Sequence, residues 1–213
     1  MIHAKVYFDV VCPWCLLGLE SWDQAMTQAD AHDAVTFEMA SFYLRPDLET
    51  GSVPVGKHLE RIGLNKAARQ DIWDRQIAIG KTLGLQMIAH DDHPLVSSRA
   101  GHAGIQAAAL QGKGRPMTHA VLHANFVEGR DVGDTAVIRQ IGHEVGLDMD
   151  AFDTAITDGG ALQQSFDQSA AAHARHVTGV PAVDLYGLGR IGGFTMPDNL
   201  ARVLQDAMSE RFV

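Results

Sequence analysis

Cys12 and Cys15 are the whole cysteine content of the 213-residue chain, and they stand together as Cys12-Pro13-Trp14-Cys15. No set of cysteines remains for a structural disulfide framework. A C-x-x-C pair has a direct chemical use at the start of a helix. Pro13 suits the first helical position, where its missing N–H is not needed. Cys12 then falls at or beside the N-cap, next to the free N–H groups and the positive end of the helix dipole, which stabilise a thiolate and lower its pKa. Cys15, three residues on, comes back to the same side of the first turn. Two sulfurs so placed can close and reopen a disulfide. The chemistry is thiol–disulfide exchange through a mixed disulfide at Cys12, with Pro13 and Trp14 tuning the potential of the pair. A structural metal half-site is the competing account. It fits poorly, because zinc usually takes four ligands and no second C-x-x-C exists. An inert buried pair fits a helix start less well still.

The elements that position this pair are legible around it. Residues 2–11 alternate and are rich in Val, Tyr, Phe and Ile, which reads as a strand. Leu16, Leu19, Trp22 and Met26 then recur near helical spacing, giving a helix over 13–29. Residues 35–42 read as a second strand, ended by Pro46. The run from 47 to about 158 is helical in pattern and broken by turn signals. Within it, a long helix covers 66–83, Ser97 or Ser98 starts a helix through Leu110, Pro116 sits in a first turn, and Asp134 caps another. A helix over 161–177, a turn at Thr178-Gly179-Val180-Pro181, short strands over 182–186 and 190–194, and a last helix over 197–209 complete the chain. The order is βαβ, a helical block, then αββα. The fold class is therefore α/β, with a core of residues 1–46 plus 159–213 and an all-helical insertion over 47–158.

Composition narrows the function. Hydrophobic residues make up 46% and charged residues 20%, enough for a buried core. Seventeen Lys and Arg against 26 Asp and Glu leave a formal charge of −9, which argues against a polyanionic nucleic-acid partner. Apolar runs fall well short of the roughly 18 residues of a membrane helix. The first residues lack a signal-peptide pattern, so no membrane partner and a cytoplasmic location are the expectations.

The segment Phe8-Asp9-Val10-Val11-Cys12-Pro13-Trp14-Cys15 resembles the active-site segment of DsbA-like thioredoxin-fold oxidoreductases, in particular their cytoplasmic FrnE-like branch. Gly179-Val180-Pro181-Ala182-Val183 is similar to the loop that carries a cis-proline in that fold. The helical block splitting the core agrees, so the resemblance spans essentially the whole chain. It implies a thioredoxin-like core and protein disulfide oxidoreductase activity. Cys12 would be the nucleophile, Cys15 its partner, and Pro181 the cis-proline facing them, with the Val180 backbone offered to an extended substrate. Substrates would be thiol- or disulfide-bearing proteins or small molecules, and no cofactor is implied beyond the redox-active disulfide. Kappa-class glutathione transferases and 2-hydroxychromene-2-carboxylate isomerases share the inserted core. They typically carry a serine near the first-cysteine position and use glutathione. This chain keeps both cysteines, which favours redox exchange and leaves glutathione open as a co-substrate.

Weaker signals have plainer readings. Gly187-Leu188-Gly189-Arg190-Ile191-Gly192 matches G-x-G-x-x-G but lacks the following βαβ context, so the glycines read as a hairpin turn. His119 with His123, and His90 with His93, could each offer metal ligands, but without further ligands they read as solvated surface residues. No metal site is expected. His173 and His176 precede the Pro181 loop and read as helix-surface positions. Asp9 could assist proton transfer but reads better as ending its strand in a turn.

Overall fold

A computed structural model describes residues 1–209. The first strand, β1 (Ile2–Phe8), enters a turn at residues 9–12, and α1 (Pro13–Gln28) leaves it. β2 (Val35–Ser41) returns parallel to β1, in register from Ile2 opposite Val35 to Phe8 opposite Ser41. A parallel pair needs a crossover, and α1 supplies it. Near the end of the chain, β5 (Ala182–Leu185) runs antiparallel to β1, and β6 (Gly189–Gly192) antiparallel to β5. The sheet order is β2-β1-β5-β6. The last helix, α9 (Pro197–Ser209), packs against α1.

β1 alternates at its start, where His3 is exposed and Lys5 half-buried, and is buried on both faces only from Val6 to Phe8, next to the cysteine turn. Ala4, Val6 and Phe8 join Leu16, Leu19, Trp22 and Met26 of α1 in the main core. Tyr7 faces the other way, into a smaller cluster with Ala40, Phe42, Ala172 and Val177.

Between β2 and the C-terminal part of the sheet lies the inserted block. It holds β3 (Ser52–Pro54), α2 (Val55–Arg61), α3 (Lys66–Thr82), β4 (Pro94–Val96), α4 (Arg99–Ala109), α5 (Gly114–His123), a π-helical turn (Ala124–Glu128), α6 (Thr135–Glu144) and α7 (Met149–Thr157). α8 (Gly160–Ala174) then packs on α4 and β2. The block is not all-helical, as its periodicity suggests. β3 and β4 pair antiparallel, Ser52 opposite Val96 and Pro54 opposite Pro94. Three-residue strands with proline at one end are too short to show a period of two. The core does not stop at the insertion either. Ile105, Leu122, Ile138 and Phe152 belong to the same buried cluster as Phe8 and Trp22.

Local chemistry explains the element ends. Asp134 caps α6 by accepting the Ala136 N–H at 2.8 Å. Ser98 is the N-cap residue of α4, but its side chain makes no cap bond. β1 stops at Phe8 rather than residue 11, because the Asp9 carbonyl accepts the Cys12 N–H at 3.1 Å and closes a turn. Gly187 and Gly189, with φ of 84° and 108°, shape the turn between β5 and β6, so the G-x-G-x-x-G match is a hairpin.

Candidate active site

Cys12 is the N-cap residue of α1 and Pro13 its first residue, in extended and helical backbone respectively. The N-cap side-chain position is left without a capping hydrogen bond, so the sulfur sits by N–H groups with no intrahelical acceptor. Cys15 is 0% exposed and Cys12 5%, and both are free thiols. Burial pushes the Cys15 thiol well above its ordinary range, and the neighbouring Cys12, hydrogen bonded to it, adds to that rise. One sulfur thus lies at the edge of solvent while the other is held behind it as a neutral thiol at pH 7.

Across from the pair lies the 179–183 loop. The Cys12 Sγ is 3.6 Å from the Val180 carbonyl oxygen, to which it donates. The Val180–Pro181 peptide is cis. The close approach of this loop to α1 depends on Gly18: a Cβ there would stand 2.9 Å from Pro181 Cγ. Trp14 is half-buried, with its ring 6.1 Å from that of Phe194 and the Arg75 guanidinium 5.7 Å above it. The structure therefore gathers Cys12, Pro13, Trp14, Cys15, Val180 and Pro181 in one place.

Behind the turn lies a polar scaffold that the sequence does not reveal. Asp9 is 0% exposed. Its carboxylate accepts the Leu44 N–H at 2.7 Å and the Val11 N–H at 3.3 Å, and His102 Nε2 stands 3.3 Å from it. Asp9 thus both ends β1 and ties the cysteine turn to the segment after β2. Asn125, in the π-helical turn, donates to the Val10 carbonyl at 2.9 Å and pairs through Oδ1 with His93 Nε2 at 3.0 Å. α4 presses on the same turn at Gly101, where a Cβ would meet Val10 at 2.8 Å. The Phe8-Asp9-Val10 stretch carried a signal for Asp9, because an acid inside an apolar run must find partners when buried. Nothing local marked Asn125 or His102.

A cavity of about 310 Å³ opens beside Cys12, between the sheet end and the insertion. Val11, Cys12, Pro13 and Trp14 form one wall; Val55, Leu59, Ile72 and Trp73 face them. His93 also lines it, buried rather than solvated as its sequence setting suggests, and burial lowers its pKa. His90 lies at the same cavity, with its ring 6.1 Å from that of His93. His119 Nε2 lies 3.1 Å from an Asp23 carboxylate oxygen, and His123 Nδ1 is hydrogen bonded with Glu128 at 3.0 Å. Among the described residues no group of three or more His, Cys, Asp or Glu is placed to hold a metal ion. His173 and His176 are exposed.

The family model for a DSBA-like thioredoxin domain matches residues 4–205. The chain belongs to the DsbA-like thioredoxin family. It is 26% identical to the uncharacterized protein YwbO of Bacillus subtilis (strain 168), over 99% of each chain. Its fold matches a probable DsbA oxidoreductase, SCO1869 of Streptomyces coelicolor, with a TM-score of 0.87 at 22% identity, covering 99% of this chain and 91% of that one. The cytosolic disulfide reductase DsbM of Pseudomonas aeruginosa shares it with a TM-score of 0.67 at 20% identity, over 97% and 98% of the two chains, and has also been solved with GSH. A 2-hydroxychromene-2-carboxylate isomerase shares it as well, at TM-score 0.70 and 19% identity, over 98% and 95%. The fold alone thus carries more than one chemistry, and the residues at the turn must decide between them.

Proposed function

We propose that this DsbA-like chain is a thiol–disulfide oxidoreductase of the FrnE-like branch, acting through Cys12 and Cys15. The observation that carries the reading is the pairing of an edge sulfur at the helix N-terminus with a buried neutral sulfur one turn behind it. In the oxidised form, a substrate thiolate attacks Cys12 and opens the Cys12–Cys15 bond. Cys15 leaves and takes up a proton, and a second thiolate then releases the substrate disulfide. In the reductive direction, Cys12 attacks a substrate disulfide and Cys15, once deprotonated, displaces the product. The potential of the pair against its surroundings sets the direction. Pro13 and Trp14 frame the sulfurs, and Val180 with Pro181 forms the opposing substrate loop.

Thiol- or disulfide-bearing proteins and small molecules are the substrate classes. The GSH-bound form of DsbM supports glutathione as a small-molecule co-substrate to test here. The same neighbour, named as cytosolic, supports a cytoplasmic location, and among the described residues no helix is long and apolar enough to cross a membrane. The isomerase neighbour and the cavity beside Cys12 favour a second reading, a glutathione-dependent transferase or isomerase. The retained cysteine pair speaks for the first.

Insulin reduction, and refolding of a scrambled disulfide protein, test the proposal. The wild-type chain accelerates one or both, and Cys12→Ser returns the rate to background. Full activity in Cys12→Ser would overturn the redox assignment.

A further inference from the structure

Three arginines stand on or near the wall of the cavity beside Cys12, and they are not used alike. Arg45 lies on the wall, but Asp47 holds its guanidinium at 2.9 and 2.7 Å. Arg69 of α3 is closed by Asp91 at 3.0 and 2.8 Å. Arg75, further along α3, is different: among the described residues no carboxylate pairs with it. Its acidic neighbours on the helix leave it free. Asp74 accepts from Gln70 at 2.8 Å, and Asp71, one turn back, makes no bond to it.

Trp14 is what positions Arg75. The guanidinium lies 5.7 Å above the centre of that ring, and Phe194 backs the ring at 6.1 Å. Stacking on an aromatic face uses the flat of a guanidinium and leaves its N–H edges open. Ile72, Trp73 and Gln76, from the same stretch of α3, line the cavity together with Cys12 and Trp14, while Arg75 itself is exposed. A positive charge therefore stands at the cavity rim, held in place by the middle of the cysteine motif.

A guanidinium fixed in this way suits a carboxylate, which can take two parallel N–H bonds from it. The chain as a whole carries a formal charge of −9 and repels an anionic thiol on average, so a cation beside the sulfur reverses the sign where it matters. The cavity's volume of about 310 Å³ lies at the small end of ligand pockets. His58 and His90 add polar edges to its wall, so a small polar molecule fits it.

Resting on the redox reading above, we infer that Arg75 selects the substrate, a low-molecular-weight thiol with a carboxylate near its sulfur, the carboxylate on Arg75 and the sulfur at Cys12. Two such thiols reduce the oxidised pair. The first thiolate bonds to Cys12 Sγ as the Cys12–Cys15 bond breaks, and Cys15 keeps that electron pair and takes up a proton. The second thiolate attacks the substrate sulfur of the mixed disulfide. The symmetrical disulfide leaves, and the electron pair of the broken bond stays on Cys12.

The test compares 3-sulfanylpropanoate with 3-sulfanylpropanamide, two thiols that differ in the charged group alone. Stopped-flow reduction of the oxidised full chain gives a rate constant per thiolate for each. Arg75 is exposed, so the gain is moderate: the carboxylate should react about threefold faster than the amide. Raising the salt to molar concentration shrinks that ratio toward one. Arg75→Gln brings it to one or below, since the net negative charge of the chain then acts alone, and Arg75→Lys, which keeps the charge, restores part of it. The readout is a ratio within one protein, so a variant that slows both thiols alike through misfolding leaves it unmoved. An amide as fast as the carboxylate in the wild type, or a carboxylate preference that survives Arg75→Gln, would overturn the inference while leaving the redox activity intact. No exchange with either thiol would instead remove the redox reading and the inference with it.

Discussion

Asp9 and Asp184 are both buried acids bound to the same sheet, and they are held in opposite ways. Asp184, on β5, is surrounded by charge: Arg190 and Arg175 donate to it, as does the Tyr7 hydroxyl at 3.1 Å. The Arg190 guanidinium, against the opposing cost of burial, holds its carboxyl down to about 2, with Arg175 and Tyr7 assisting. Among the described residues neither lysine nor arginine pairs with Asp9. Two backbone N–H groups and a buried histidine face it, and they belong to the cysteine turn, the chain after β2 and α4. Asp184 staples a hairpin whose strands already pair. Asp9 joins three segments that meet at the sulfurs, beside the bond from Asn125 to the Val10 carbonyl. A carboxylate between two guanidiniums adds stability locally; a carboxylate bonded to backbone sets geometry.

That contrast can be broken most sharply at Asp9. Asp9→Ala leaves the buried Val11 N–H and the part-buried Leu44 N–H without their acceptor, a loss of about 2 kcal/mol or more. Denaturant titration should show that loss, and insulin reduction measured on the residual folded fraction should fall with it. Unchanged exchange per folded molecule would separate Asp9 from the positioning of the turn.

Asp184→Asn should act more weakly and elsewhere. Its partners Arg175 and Arg190 are partly exposed, so solvent screens the cluster and the loss is on the order of 1 kcal/mol at neutral pH. Because the folded-state pKa lies below the ordinary carboxylate value, this stability is present above pH of about 4 and fades as pH falls toward about 2. Acid unfolding curves should therefore converge for wild type and variant across that window, with exchange activity at pH 7 alike in both. A variant that loses activity but not acid stability would reverse the roles of the two acids.

The sequence shows one of these regions better than the other. The C-x-x-C pair, its helix and the flanking strands were legible, because proline at a helix start and a parallel βαβ crossover both leave local patterns. The 178–181 turn and the strand after it are legible because Gly179 and Pro181 punctuate the chain just before an apolar run. The scaffold behind the sulfurs was not. Asn125 lies in a π-helical turn and His102 inside α4, and each reaches the cysteine turn only through tertiary packing. Gln76 lies buried inside α3, a burial that a polar side chain in a helical run does not announce. The β3–β4 ribbon leaves no local pattern, because its pairing joins short segments far apart in the chain.

The division of labour between the two sulfurs is the claim on which the rest depends, and mass-mapped alkylation of the reduced chain as a function of pH tests it most directly. Cys12, at the edge of solvent, should be labelled at neutral pH, while Cys15 should resist until pH climbs past the ordinary thiol range or the chain unfolds, because burial keeps it protonated. Equal labelling of both, or labelling of Cys15 first, would contradict the account.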